Sequence, residues 1–150
     1  MTIDVKKIKK LKEETGAGVL EVKKMLEECD GDIDKAKEGL MKRASEKASK
    51  KADRDAGDGL VYSYIHNGGK VGSMVLVACE TDFVAKTDDF KKLCNEVAMQ
   101  VCTEDFNDVK ELLESDYIRD PSKTILDLVN EATAKLGEKI EIKDFYKLSV

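Results

Sequence analysis

Tryptophan is absent from this chain of 150 residues, proline and histidine occur once each, and cysteine four times. Each shortage excludes something. A lone histidine, His66, beside four cysteines without a CxxC pair leaves no zinc constellation. His66 lies at an expected strand end next to a turn, with no second ligand type in view, so neither catalysis nor metal binding is read into it. Three of Cys29, Cys79, Cys94 and Cys102 fall at apolar positions of expected elements, the pattern of buried free thiols in a reducing cytosol. No apolar stretch approaches the roughly 20 residues that cross a bilayer, and no signal-peptide pattern is present, so a cytoplasmic protein is expected. No nucleophile–base pair, glycine-rich phosphate loop or metal cluster supports an enzyme, and no cofactor is expected. Cys79 beside Glu80 reads as a strand thiol.

Acidic residues outnumber basic ones, 31 to 26, and the net charge of -5 disfavours nonspecific binding to nucleic acid or to an anionic membrane. Hydrophobic residues at 41% and charged residues at 38% suit a soluble chain with a core rather than a disordered one. Lys47, Lys50 and Lys51 form a local basic run, but no aromatic is interleaved with them, which reads as a solvated face.

The stretch that organises the rest is 75–86, VLVACETDFVAK. Residues 74–79 read as a buried strand. The chain then turns polar at Glu80, Thr81 and Asp82 and presents Phe83, and from Phe90 the pattern is helical. Residues 81–86 thus fall at a strand-to-helix junction, where a rigid scaffold can hold side chains toward a partner. Composition leaves two readings open. In one, Phe83 is core and Asp82 a helix N-cap. In the other, the ring wedges into an apolar gap of a partner while the carboxylate disturbs a nearby cation or phosphate site.

Around this stretch the expected fold is α+β: an N-terminal three-helix bundle, then a three-stranded antiparallel sheet packed on helices. Val5, Ile8 and Leu11 mark a first helix, Val19, Val22, Met25, Leu26 and Cys29 a second, and Ile33, Ala36, Leu40, Met41, Ala44 and Ala48 a third capped by Asp32. Val19 and Leu20 are adjacent and cannot share one helix face. Residues 60–65 and 71–79 read as a hairpin around His66-Asn67-Gly68-Gly69. Phe90, Leu93, Cys94, Val97, Ala98 and Val101 form one helix face, with Lys91, Lys92, Asn95 and Glu96 opposite and Thr87 as N-cap. A short helix over 108–114 follows. Ser122 is expected to cap a later helix that ends at Gly137, and residues 140–150 form the last strand, with a bulge near Asp144 and Phe145. Tyr62, Tyr64, Phe145 and Tyr146 are candidates for an uncovered apolar sheet face. The expected division is a bundle over 1–44, a connector over 45–58 and an α+β core over 59–150.

Thr81-Asp82-Phe83-Val84-Ala85-Lys86 resembles the signature of the bacterial elongation factor Ts family. Further stretches resemble the same family in the same order: Glu14-Thr15-Gly16-Ala17-Gly18, Val22-Lys23-Lys24, Gly31-Asp32-Ile33, Tyr64-Ile65-His66, Val71-Gly72 and Leu136-Gly137-Glu138-Lys139-Ile140. The resemblance implies a ubiquitin-associated-like N-terminal fold and guanine-nucleotide exchange on elongation factor Tu, without covalent chemistry. By matching position, Phe83 inserts near the switch helix of that GTPase and Asp82 perturbs its Mg²⁺ site. Thr81, Val84 and Lys86, with Ala85 between them, shape the loop. Lys12, Val19 and Leu20 dock elsewhere, where the family usually carries an arginine and two methionines. Two departures stand out. The chain has length for one core half only, and Lys143-Asp144-Phe145-Tyr146 stands where the family tends to have two arginines before the aromatic. By analogy with short members, a homodimer through the core sheets is expected. The competing expectation is an adaptor without exchange activity, built on the N-terminal bundle.

Overall fold

A computed structural model describes residues 2–150. Asp4 caps the first helix, α1 (Val5–Thr15), by accepting from Lys6 N at 2.9 Å, and Gly16 closes it at φ 70°. That left-handed geometry is what a helix C-terminus asks of glycine. α2 (Val19–Glu28) follows directly. Asp32 caps α3 (Ile33–Ser49) through Lys35 N at 3.1 Å. Leu11, Val22, Leu26 and Leu40 close an apolar cluster between these helices.

Antiparallel strands β1 (Asp58–Ile65) and β2 (Val71–Cys79) form the hairpin. Short α4 (Asp82–Ala85) leads into α5 (Asp88–Val101), and then come α6 (Val109–Glu114), α7 (Ile125–Leu136) and β3 (Glu141–Ser149). The sheet order is β1-β2-β3, antiparallel throughout. Val75 and Val77 pack with Phe90 and Val97 of α5, Ile125 of α7 and Ile142 of β3 in a second apolar cluster. The fold is therefore α+β, with helices before the sheet and helices against one face of it.

Several local expectations are corrected. Residues 74–79 are not buried throughout, because Met74 and Leu76 point away from the helices while Val75, Val77 and Cys79 point in. Of the four aromatics assigned to the open face, only Tyr146 is there. Tyr62, Tyr64 and Phe145 pack against the core, and Phe145 meets the Phe106 ring edge-on at 6.5 Å. Tyr62 and Tyr64 pair with the inward-facing Val75 and Ser73, whereas the place of Phe145 is set by the bulge in β3. Val77 pairs with Ile142 and Leu76 with Asp144, so Lys143 is the extra residue. It inverts the parity of the strand beyond it. The open face is instead Val61, Ile65, Met74, Leu76, Tyr146 and Leu148.

Glu96 does not face solvent but is 5% exposed. Residues 115–119 fold over the flank of α5 and need partners there. Tyr117 Oη donates to Glu96 at 2.6 Å and Arg119 at 2.9 Å, while Gln100 pairs with the backbone of Asp116 and Ile118. Ser122 does not cap α7. Thr124 does, in a reciprocal capping box with Asp127 at 2.9 and 3.2 Å, leaving Ser122 to hydrogen-bond Asp120.

Candidate functional site

The strand-to-helix junction folds into one tight turn held from below. Thr81 caps α4 by accepting from Val84 N at 3.4 Å. Thr87 Oγ1 donates to the Val84 carbonyl at 2.7 Å and accepts from Phe90 N at 3.2 Å, so α4 runs into α5 without slack. Ala85 is buried in the core and Val84 is packed against it. With these two facing inward, the helical period turns Asp82, Phe83 and Lys86 outward. Phe83 is 82% exposed, which rejects its reading as a core residue.

Two glutamates lock the base of this turn. Glu138, just past the end of α7, accepts from Glu80 N at 3.2 Å, from Thr81 N at 3.0 Å and from Thr81 Oγ1 at 2.7 Å. Glu80 returns the arrangement by accepting from Lys139 N at 2.7 Å and from Arg54 at 3.3 Å. The Lys139 N–H, then the Arg54 guanidinium, hold the Glu80 carboxyl below the ordinary range. These bonds tie the turn to the entry of β3, some 58 residues away in sequence. That distance is why no spacing rule flagged Glu138, although it lies within a stretch, Leu136-Gly137-Glu138-Lys139-Ile140, that already resembles the family.

Asp82 and Lys86 form an exposed ion pair at 3.0 Å, one helical turn apart. The hydrogen bond and charge of Lys86 depress the Asp82 carboxyl below its usual range, so it is ionised at neutral pH. Just below the turn, burial pushes the Cys79 thiol up, and Cys79 Sγ donates to the Thr81 carbonyl at 3.1 Å. It is an inert thiol.

Lys12, Val19 and Leu20 are also exposed, at the C-terminal end of α1 and the start of α2, with Leu20 84% accessible. Gly16 and Gly18 bracket the sharp passage between the two helices, which places Val19 and Leu20 in the first turn of α2, above the cluster rather than in it. The two sets of residues sit on separate supports. α4 packs on β1, β2 and α5, while α1 and α2 pack on each other and on α3.

An exposed aromatic beside an ionised carboxylate, on a turn with no slack in its backbone, is a preformed surface of the kind that suits protein docking. The comparisons give the family. The model for "Elongation factor TS" matches residues 80–150, opening at the glutamate that locks the turn. Elongation factor Ts of Coprothermobacter proteolyticus is 38% identical over an alignment of 192 positions, covering 98% of this chain and 98% of the relative. That of Desulfosudis oleivorans is also 38% identical, with 99% and 98% covered. Elongation factor Ts of Clostridium novyi is 42% identical over 148 residues, covering 99% of this chain but 48% of the relative. The chain belongs to the elongation factor Ts family, and its role lies in translation elongation. It spans the whole length of some relatives, against gaps, and about half the length of others. Among the described residues no helix is long and apolar enough to cross a membrane.

Proposed function

We propose that this chain is a guanine-nucleotide exchange factor for elongation factor Tu, and that Phe83 and Asp82 are its working residues. The observation that carries this reading is the exposure of Phe83 on a turn whose backbone is fixed by Glu138 and Thr87. A ring held out in water gains the hydrophobic free energy of its burial only when it enters a partner. The logic of exchange is linkage. A factor that binds the nucleotide-free GTPase more tightly than the GDP form weakens GDP binding by the same ratio. The GTPase holds GDP largely through its phosphates and Mg²⁺. Phe83 inserts near the switch helix, and Asp82, released from Lys86, perturbs the metal shell. Thr81, Val84, Ala85 and Lys86 hold the turn in shape. Lys12, Val19 and Leu20 anchor the chain elsewhere on the same partner. The division follows: a docking bundle over 1–44, a connector over 45–58 and an exchange core over 59–150. The chain works without covalent chemistry, cofactor, nucleic acid or membrane.

The test is release of fluorescent GDP from purified elongation factor Tu in excess unlabelled GDP. The chain accelerates release in proportion to its concentration. Binding without acceleration would replace exchange with the adaptor reading.

The chain also acts as a homodimer in this proposal. Val61, Ile65, Met74, Leu76, Tyr146 and Leu148 leave an apolar sheet face uncovered, larger than scattered surface hydrophobics require. Relatives such as that of Clostridium novyi are about twice as long, so a second copy supplies what a longer chain carries in one molecule. Light scattering after gel filtration gives twice the mass of 16.7 kDa. A monomer at high micromolar concentration rules the dimer out.

A further inference from the structure

Away from the exchange turn, the chain gathers its buried charge in one place. The end of α1, Lys37 of α3, α5, α7 and residues 117–123 line a cavity of about 700 Å³, beside the direct packing of α3 on α7. Lys37, on α3, donates to Asp120 at 2.6 Å and lies 3.4 Å from the Glu14 carboxylate. Lys123 donates to the Glu14 carbonyl and to both oxygens of Glu131 on α7, at 3.1 and 2.9 Å. Glu14 is therefore gripped twice, by its carboxylate and by its backbone. The partners are far apart in sequence, by 83 residues for Lys37 and Asp120 and by 109 for Glu14 and Lys123.

Three facts give this network a use. First, the buried apolar residues form two clusters with no residue in common, and the parts that carry them meet where α3 packs on α7, beside the charged network. Second, buried charge is a poor source of net stability but a strict selector of geometry, since each misplaced partner leaves an uncompensated charge. Burial works against the Lys37 ammonium, yet the Asp120 hydrogen bond and charge outweigh it and raise its pKa above the ordinary lysine value. Third, Glu14 sits between Lys12 and Val19 in the chain, under the N-terminal docking residues themselves.

We propose that Lys37 and Lys123 are positioning residues, which through Glu14, Asp120 and Glu131 hold the N-terminal docking set and the exchange turn at one fixed spacing. This rests on the exchange reading above. A partner that meets both sets at once gains the effective concentration of a linked pair, and a loose joint forfeits it.

The experiment has two arms. In the first, spin labels are placed at Lys9→Cys and Lys91→Cys, both exposed helix positions, with Cys29 and Cys102 replaced by serine. The distance distribution in the free chain is narrow, broadens with Lys37→Met and narrows again with Lys37→Arg. An unchanged distribution in Lys37→Met overturns the proposal. In the second arm, Lys37→Met raises the chain concentration that half-saturates GDP release by about tenfold. It has no further effect once Lys12→Ala and Leu20→Ser have removed the docking set. Equal losses in both backgrounds overturn the positioning role. A wild-type chain that leaves GDP release unchanged overturns the exchange reading instead, and the label distances alone then decide whether the joint is fixed.

Discussion

Replacing Phe83 with alanine slows chain-stimulated GDP release from elongation factor Tu by about thirtyfold at sub-saturating concentration, the equivalent of ~2 kcal/mol for a buried aromatic anchor. The fold does not change. Phe83 is 82% exposed and belongs to neither apolar cluster, so its truncation opens no cavity. Surface substitutions of this kind shift stability by about 0.5 kcal/mol or less. A loss of exchange without a loss of stability separates a contact role from a structural one. Asp82→Ala has the smaller effect. It breaks the exposed pair with Lys86, which contributes little to the fold, and removes one charge from an indirect influence on the partner's metal. Equal release rates for wild type and Phe83→Ala reject the wedge.

The turn can act as a wedge because its ordering is complete before the partner arrives. Thr81, Thr87 and Ala85 fix α4 locally, and Glu138 and Glu80 fix it to the other end of the domain. A side chain on such a support loses only its own rotamer freedom on binding. The two sets of exposed residues are then a problem of spacing, which the charged joint at Glu14 addresses.

Most of this architecture was legible because its signals are local. Asp32, Thr87 and Gly137 announce helix ends by side-chain chemistry alone, and the alternation of 60–65 announces a strand. The turn at 81–86 is visible as a junction, and its resemblance to the family singles out Phe83. What escaped depends on distant partners. Glu96 has the spacing of a solvent-facing residue, and only the return of Tyr117 over α5 buries it. One bulge residue, Lys143, decides that Phe145 and not Tyr146 faces the helices, so pattern-reading to either side of it contradicts itself. The Thr124–Asp127 capping box is itself a local signal, two residues beyond Ser122. Glu138, Lys37 and Lys123 have partners between 57 and 109 residues away, and no spacing rule links them, although the stretch around Glu138 resembles the family.

Lys123 carries the other large effect. Lys123→Met destabilises the chain by about 3 kcal/mol or more, the usual cost of removing one partner from a buried ion pair. Lys123 is 4% exposed and Glu131 is 9% exposed, so water cannot replace the lost ammonium. Glu131 makes this loss depend on pH. Burial pushes its carboxyl up from the ordinary 4.5 to about 7, with Lys123 pulling against the rise. Between those values the folded chain holds a proton that the unfolded chain has released. By linkage its contribution to stability is therefore full at about pH 4.5, falls as pH rises toward 7, and is level above. Glu131→Gln removes that slope, and urea unfolding at pH 5.5 and pH 8 then gives the same contribution from this site. Lys123→Met extends the slope above neutrality, because the buried carboxylate has lost the charge that favours it. The double variant Lys123→Met, Glu131→Leu recovers most of the stability, since a buried pair replaced by apolar side chains is close to neutral. A single variant Lys123→Met that unfolds at the wild-type urea midpoint at both pH values would show that the pair is not buried, and with it that the joint is not formed.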